Sequence, residues 1–470
     1  MMEQFQLTVI GGGPGGYSAA LRGAARGLKT LLVEKECPGG TCLNHGCIPT
    51  KSLLHSASLY RKLQDAATFG IQTGKVGFDY VKIQQRKTQV INNLVDGLEG
   101  LLKSAGVELW PGRAELLSVN RVQVSLPDGE RRLAETEKLV IATGSSEVIP
   151  PVPGIDLPGV LFSREALSLP ALPDSLAVIG GGVIALEMAS IFAAFGVSVT
   201  IVQRSRLLRR EDREMVRRLT PYLRRQGIRV MTGTALREIN AASKGGLILT
   251  VESPRGEETL KAEKVLVAVG RKPSLGGLNL AGSGINYGDH GIEVDEKMST
   301  SVPGVYAVGD VAYPGYFLAH TAVHQGVAAA ENAAGGKVSF SGEAVPVCIF
   351  TSPELARVGL TEEQARAEGY PVRVGKFPFS ANGKAFLQGE AAGVVKIVAD
   401  EEKGTVLGVH ILGPHASDLI QEGTLAVATG AQVQELVQLI HPHPTLSETV
   451  WEAALGVFGR PLHLATGRAR

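Results

Sequence analysis

The stretch Leu7-Thr8-Val9-Ile10-Gly11-Gly12-Gly13-Pro14-Gly15-Gly16 reads as a short apolar strand running into a glycine turn. An alanine-rich segment of helical character follows, and then the strand Thr30-Leu31-Leu32-Val33, which ends on Glu34. Strand, glycine turn, helix, strand and terminal acid in this order form a dinucleotide-binding unit. Gly11 makes the tight turn, Gly13 lets the backbone approach a pyrophosphate, and Gly16 lets helix and strand pack closely. The helix N-terminus offers unpaired N–H groups and partial positive charge to phosphates. Glu34 is placed to accept hydrogen bonds from a ribose diol.

A second unit repeats the pattern. Leu176-Ala177-Val178-Ile179 leads into Gly180-Gly181-Gly182-Val183-Ile184-Ala185, a helix, and a strand ending at Val202. Ala185 replaces the third glycine, and Gln203 replaces the terminal acid. Arg204, Arg206, Arg209 and Arg210 follow. An uncharged strand end with arginines behind it suits a ribose carrying a 2′-phosphate, which an acid would repel. The alternative is a solvated basic helix start. The run Ser175 to Val202 contains a single charge, Glu187, over a length that could span a bilayer. Its glycine turn and closing strand argue instead for a buried strand, turn, helix and strand.

Three more apolar strands run into glycine turns: Leu139 to Ser145, Val265 to Arg271, and Val305 to Asp310. A carboxylate at Asp310 could accept hydrogen bonds from a ribityl chain. Pro150-Pro151-Val152-Pro153-Gly154 marks a linker between the two dinucleotide domains, and the chain is expected to return to the first near Pro273. At 470 residues the chain is long enough for about three domains. With 44% hydrophobic residues, 20% charged and a net charge of +1, it has the composition of a soluble globular protein. Nothing in that balance points to nucleic acid or an anionic membrane as partner. The start Met1-Met2-Glu3-Gln4 lacks the basic region of a signal peptide, so no targeting segment is expected. Four cysteines in so long a chain fit a reducing, cytoplasmic compartment.

Cys42 and Cys47 lie in Gly40-Thr41-Cys42-Leu43-Asn44-His45-Gly46-Cys47-Ile48-Pro49-Thr50-Lys51, just after the first unit. Two thiols at this spacing can close a small redox-active disulfide, and a neighbouring flavin could exchange an electron pair with it. The alternatives are two buried structural cysteines or half of a metal site. Only Cys37 and His45 are near, in an arrangement matching no usual zinc pattern, so no metal is expected. In a reducing compartment a persistent Cys pair is more often catalytic. Near the other end, His443 precedes Pro444, and Glu448 lies five positions on. Thiol exchange needs a base, which His supplies near neutral pH, and a carboxylate can orient the imidazole. A lone His among prolines is otherwise a surface or packing residue.

With these motifs the chain resembles the pyridine nucleotide–disulfide oxidoreductases, and within them the dihydrolipoamide dehydrogenases, over essentially its whole length. The carrying motifs are Gly11 to Gly16, Cys42 to Lys51, Ala142-Thr143-Gly144, Gly180 to Glu187, Gly270-Arg271, Gly309-Asp310 and His441 to Glu448. The resemblance implies an α/β protein with two Rossmann-like dinucleotide-binding domains, for FAD and NAD(P), and a C-terminal α+β dimerisation domain. The corresponding spans are 1–148 and 273–344 for FAD, 149–272 for NAD(P), and 345–470 for the interface. It implies FAD contacts from Gly11, Gly13, Pro14, Gly15, Gly16, Glu34, Lys35, Gly40, Thr41, Lys51, Gly112, Ala114, Thr143, Gly144, Ser145, Gly309, Asp310, Leu318, Ala319, His320 and Thr321. Nicotinamide dinucleotide contacts fall to Gly180, Gly182, Val183, Ile184, Gln203, Arg204, Arg210, Gly270 and Arg271.

The resemblance further implies a homodimer whose active site is shared across subunits. Cys42 then forms the mixed disulfide with a dithiol substrate, and Cys47 faces the flavin as thiolate. His443, oriented by Glu448, is the base, with His441 the lesser candidate. A helix beginning after Pro49 would lower the Cys47 pKa. Lys51, paired with Glu187, would favour negative charge on the flavin. The implied reaction oxidises protein-bound dihydrolipoamide to lipoamide and reduces NAD(P)+. The substrate would be a lipoyl-carrying protein of a 2-oxoacid dehydrogenase or glycine-cleavage complex.

Departures from the pattern bear on the second dinucleotide. Ala185 and Gln203 stand where the dihydrolipoamide dehydrogenases carry Gly and Glu, and with Arg204 and Arg210 they resemble the NADPH-using members. Leu43, Ile48 and Thr50 in the cysteine block resemble the lipoamide enzymes. The end Ala465-Thr466-Gly467-Arg468-Ala469-Arg470 lacks the redox pair of mercuric and high-molecular-weight thioredoxin reductases. An NADPH-dependent reductase of another disulfide or a quinone, using the same Cys pair, is therefore the alternative. A non-enzymatic flavin-binding subunit would have no need of Cys42, Cys47, His443 and Glu448 together. Cys37 and Cys348 have no assigned role.

Overall fold

The computed structural model describes residues 2–464 and divides into two compact units. The tail 465–470, expected to lack a second redox pair, lies outside the described residues. The first unit comprises Met1–Pro150, Leu161–Ala171 and Ala268–Ser341, and the second Pro151–Val160, Leu172–Val267 and Gly342–Arg470.

In the first unit β1 (Met2–Ile10) lies between β2 (Thr30–Glu34) and β6 (Arg131–Ile141), and both pairings are parallel, with Leu7 opposite Thr30 and Thr8 opposite Leu139. The sheet runs β3 (Glu108–Pro111), β2, β1, β6, β5 (Arg121–Ser125), β4 (Arg113–Ser118), and Val305–Ala307 adds in parallel to β6. Leu7, Val9, Leu31 and Leu32 are wholly buried, because helices cover a parallel sheet on both faces. Each such side chain contributes about 1.5–3 kcal/mol. Alanines 19 and 20 of α1 (Pro14–Ala25) share a core with Ala328, Ala329 and Ala330 of α8 (Ala319–Ala333), small residues that let two helices approach closely. Between β2 and β3 the chain forms α2 (Gly40–His45), α3 (Cys47–Gln64) and α4 (Tyr80–Ser104). The short strand β7 (Ser145–Glu147) pairs antiparallel with Arg271–Pro273, and α5 (Ser163–Leu167) also belongs to this unit.

The second unit repeats the parallel core with Ser175–Ile179 between Ser198–Gln203 and Lys264–Val267. Helix α6 (Val183–Ala194) is buried along nearly its whole length, which accounts for the uninterrupted apolar run. No helix among the described residues is long and apolar enough to cross a membrane. The C-terminal part is a five-stranded antiparallel sheet in the order Val347–Ile349, Glu354–Gly359, Val406–Gly413, Val394–Asp400, Val372–Pro378. Helices Ala416–Thr429 and Glu448–Val457 bury Ile420, Val450 and Ala453 in its core. Two dinucleotide-type α/β folds followed by an α+β domain is the expected class.

The residues following the nucleotide strand are tied to this C-terminal sheet by buried charges. Lys396 Nζ lies 2.8 Å from Asp212 Oδ2 and 2.9 Å from Glu362 Oε2. Arg357 donates from Nε to Glu211 Oε2 at 2.6 Å. Asp212 also caps α7 (Arg213–Arg225), accepting the Glu214 and Met215 N–H groups.

Candidate active site

The first glycine turn has the geometry its sequence demands. Gly11 has φ +102°, and a Cβ there would sit 2.3 Å from the Ala142 carbonyl oxygen. A Cβ on Gly16 would fall 1.7 Å from the Gly11 carbonyl oxygen, so helix and turn approach too closely for a side chain. Around Gly13, by contrast, nothing lies within 4 Å of a built Cβ. Gly13 is the N-cap of α1 and no side chain caps that end, so the first N–H groups of the helix are left for a ligand. Glu34, 7% exposed, accepts the Gly12 N–H on Oε2 at 2.6 Å and the Glu36 N–H on Oε1 at 2.8 Å. A carboxylate has about four lone-pair sites, so it can still accept from a diol. The Gly112 N–H donates to the Glu34 carbonyl at 2.8 Å, which sets Gly112 and buried Ala114 beside that strand end. Lys35 is exposed.

Strand β6 delivers Thr143 to Ser145 to the same sheet end. Ser145 Oγ donates to Asp310 Oδ2 at 2.5 Å, and Arg271 donates from Nε to Ser145 Oγ at 2.8 Å and from Nη1 to Glu147 at 3.0 Å. Burial pushes the Asp310 carboxyl above its usual range, against the Ser145 hydrogen bond and the Arg271 charge. Thr143 Oγ1 donates to the Ser274 carbonyl, and the Gly309 N–H donates to Gln325. Leu318 is the N-cap of α8, so Ala319, His320 and Thr321 form its first turn. The Thr321 hydroxyl is buried with no protein partner. A buried hydroxyl left so is costly unless a ligand group meets it.

The cysteine segment packs onto this turn: the Gly39 N–H donates to the Gly12 carbonyl at 2.8 Å. A Cβ on Gly40 would lie 2.7 Å from Gly13 Cα, and exposed Thr41 follows it in α2. Asn44, not singled out from sequence, gathers the carbonyls of Pro38 and Gly40, each at 3.1 Å. Cys42 stands in α2, and Cys47 is the first residue of α3, so the helix begins before Pro49 rather than after it. Proline is tolerated inside a first turn because its missing N–H has no partner there anyway. The helix dipole therefore acts on Cys47 directly. Both sulfurs are thiols, partly exposed and hydrogen-bonded to each other. The hydrogen bond to Cys47 pushes Cys42 well above the usual thiol range, and burial and the Cys47 charge add to this, while Lys51 opposes it. Lys51 lies one turn into α3. The phenol of Tyr17, on α1, is pushed up by burial and by Cys42.

In the second unit the turn before α6 has Gly182 as N-cap with no side-chain cap and nothing within 4 Å of a built Cβ. Gly180 precedes it with φ +126°, and Val183 and Ile184 open the helix. Ala185 is wholly buried. Gln203 Nε2 donates to Ser205 Oγ at 2.8 Å and to the Arg206 carbonyl at 3.3 Å. Arg204 and Arg210 are exposed. Arg206 instead staples its own loop, donating to the carbonyls of Leu208 at 3.3 Å, Glu211 at 3.1 Å and Arg209 at 2.5 Å. These arginines thus lie in a loop ahead of α7 and not at a helix start. Glu187, 3% exposed on α6, accepts the Phe350 N–H at 3.1 Å, while its expected partner Lys51 belongs to the first unit. Gly270 and Arg271 also belong to the first unit.

His443 and Glu448 do meet. His443 Nδ1 is 2.9 Å from Glu448 Oε1, and the Thr445 N–H donates to Oε2 at 2.8 Å. Burial disfavours the Glu448 charge, but the Thr445 and His443 hydrogen bonds outweigh it and hold the carboxyl below its usual range. With Nδ1–H donating, Nε2 of the exposed His443 is the open acceptor. His441 is turned inward, 3.0 Å from Glu422 and 3.3 Å from the Leu439 carbonyl. No cluster of His, Cys, Asp and Glu suited to a metal ion occurs among the described residues.

The family profile described as pyridine nucleotide-disulphide oxidoreductase matches residues 5–326, and its dimerisation domain matches 345–454. A dihydrolipoyl dehydrogenase of Thermus scotoductus is 43% identical, covering 98% of this chain and 99% of the relative. One from Bacillus subtilis is 40% identical over 98% of this chain and its own full length. Among solved structures, the HOCl-induced flavoprotein disulfide reductase RclA from Escherichia coli is 30% identical with a TM-score of 0.85, covering 96% of this chain and 99% of that one. LpdA from Mycobacterium tuberculosis is 29% identical with a TM-score of 0.88 over the same shares. With both domain profiles matched and relatives of this identity aligned from end to end, the chain belongs to the pyridine nucleotide-disulphide oxidoreductases.

Proposed function

We propose that the protein is an FAD-dependent dihydrolipoyl dehydrogenase that oxidises protein-bound dihydrolipoamide and reduces NAD(P)+. The observation that carries this reading is the Cys42–Cys47 pair, hydrogen-bonded thiol to thiol, with Cys47 at the N-terminus of α3 and the pair's segment packed on the first glycine turn. The residues fit FAD: open space at Gly13, an uncapped α1 N-terminus, Glu34 at a strand end, a buried Asp310 carboxyl and the orphaned Thr321 hydroxyl. When bound, FAD accepts the dithiol's electron pair and passes it on as hydride to the nicotinamide. Gly180 to Ile184 would hold the pyrophosphate of the nicotinamide dinucleotide, and Lys51 would support the flavin side.

The protein groups divide the thiol chemistry. His443 Nε2 takes a proton from the substrate dithiol while Glu448 holds the ring. The resulting thiolate attacks Cys42, and the S–S bond breaks to release Cys47 as thiolate. The second substrate thiol then breaks the mixed disulfide, freeing Cys42 and oxidised lipoamide. By the family arrangement, two copies form a homodimer and His443 of one serves the cysteines of the other. The division into spans 1–148, 149–272, 273–344 and 345–470 belongs to the same proposal, as does a cytoplasmic location, which the sparing use of cysteine supports.

The deciding assay is dihydrolipoamide turnover with NAD+ and NADP+ by wild type, Cys42→Ser and Cys47→Ser. Turnover that survives either serine change sinks the proposal. Gln203 with exposed Arg204 and Arg210 favours a second reading, an NADPH-dependent reductase of another disulfide or of a quinone. It would be marked by NADPH consumption with such acceptors and no lipoamide activity.

A further inference from the structure

The helix that carries Cys42 carries a second protic side chain. Cys42 and His45 are three residues apart on α2, which sets them on one helix face with Cβ atoms about 5–6 Å apart. His45 Nε2 lies 3.3 Å from Glu36 Oε2, and Arg164 Nη2 on α5 lies 3.0 Å from the same oxygen. Glu36 is itself anchored through its N–H to Glu34. With Nε2–H donating to Glu36, Nδ1 keeps the imidazole lone pair. The charged groups acting on the ring are Arg164, Glu36 and Glu147 of β7, with Lys35 acting on Glu36. Those acting on Cys42 are Cys47 and Lys51, and Cys42 in turn acts on the Tyr17 phenol of α1. Burial and then Arg164 hold His45 below the usual imidazole range against the two carboxylates, so near pH 7 the ring is neutral and can accept a proton. Cys42, pushed the other way, is a thiol that needs an acceptor before it can act.

We propose that His45, oriented by Glu36, is a proton acceptor for the Cys42 thiol from within the same subunit. The inference rests on the reading of Cys42 and Cys47 as the redox pair. The proton moves from Cys42 Sγ to His45 Nδ1, directly or through one water, leaving a thiolate beside an imidazolium. In the reverse sense the imidazolium returns the proton when Cys42 leaves a mixed disulfide. The pair would then keep a base of its own beside the one on the C-terminal domain.

The test is alkylation of Cys42 in the flavin-loaded protein, reduced anaerobically with a phosphine, by iodoacetamide between pH 5 and 9. The new C–S bond displaces iodide, and the Cys42 peptide is quantified by mass spectrometry. All proteins carry His443→Gln to remove the other base. Adding His45→Asn is expected to slow alkylation at pH 7 about tenfold, the effect of one pKa unit, and to move the pH profile upward. Glu36→Gln should shift the profile in the same direction by less. Superimposable profiles with and without His45 overturn the proposal, as does a Cys42 that is inert across the range. Should His45→Asn lose its flavin, His45→Gln supplies the comparison. A His45-dependent profile in these variants, together with a wild type (His443 intact) that does not turn over dihydrolipoamide, would sink the substrate reading and leave this one standing.

Discussion

His443 Nδ1 and Glu448 Oε1 stand 2.9 Å apart, with the second carboxylate oxygen held by the Thr445 N–H. The carboxylate thus fixes both tautomer and ring direction. His443→Gln should lower kcat with dihydrolipoamide by about 10²–10⁴-fold, the worth of a positioned base. Glu448→Gln, which keeps the shape and loses the charge, should cost less and shift the acid limb of the kcat pH profile. Steady-state rates across pH check both.

On the proposed reading, nicotinamide preference would be set at the end of strand Ser198–Gln203. Gln203→Glu combined with Arg204→Gln and Arg210→Gln should raise the NAD+/NADP+ ratio of kcat/KM by about tenfold or more, equivalent to about 1.4 kcal/mol. An unchanged ratio would remove the two exposed arginines from the nucleotide site.

His410 is buried in the C-terminal sheet and bonded to the Leu360 carbonyl at 3.0 Å. Burial lowers it to about 4 from the ordinary 6.5. Between those values the unfolded chain binds a proton that the folded chain refuses, so stability falls as pH drops through that window. The loss by pH 4 should be on the order of 3 kcal/mol. Urea midpoints from pH 7 to 4 should show the decline, and His410→Gln should flatten it.

Lys396, 2% exposed, faces Asp212 and Glu362, and Asp212 is 4% exposed. Burial disfavours the lysine charge, yet the carboxylates raise its pKa overall, and Asp212 is correspondingly lowered. Lys396→Met would strand the Asp212 carboxylate and destabilise the protein by about 3–5 kcal/mol at pH 7. Replacing Lys396 and Asp212 together by apolar residues should recover part of that loss. Urea denaturation of the single and double variants provides the measurement.

The two glycine-turn units were readable because Gly11, Gly13, Gly16, Gly180 and Gly182 interrupt apolar strands with a pattern that only a strand-to-helix turn over phosphates explains. His443 and Glu448 were readable for a similar reason, being five residues apart with prolines fixing the approach. Pairings between distant segments were not. Nothing local announces that Arg164 will meet Glu36 or that Lys396 will meet Asp212, since 128 and 184 residues separate these partners. Arg206 was read with its neighbours as suited to a 2′-phosphate, because a guanidinium that staples three carbonyls looks in sequence like one awaiting a phosphate. The start of α3 was placed too late because Pro49 reads as an entry signal, whereas the first turn tolerates it three residues in.

Glu34 accepts at once from the Gly12 N–H, in the first glycine turn, and from the N–H of Glu36, whose own carboxylate meets His45. On the proposed reading a single carboxylate would join the ribose of the cofactor to the acid–base behaviour of the thiols. A lesion at position 34 would weaken cofactor retention and detune sulfur chemistry together, two phenotypes that genetics would otherwise assign to separate sites.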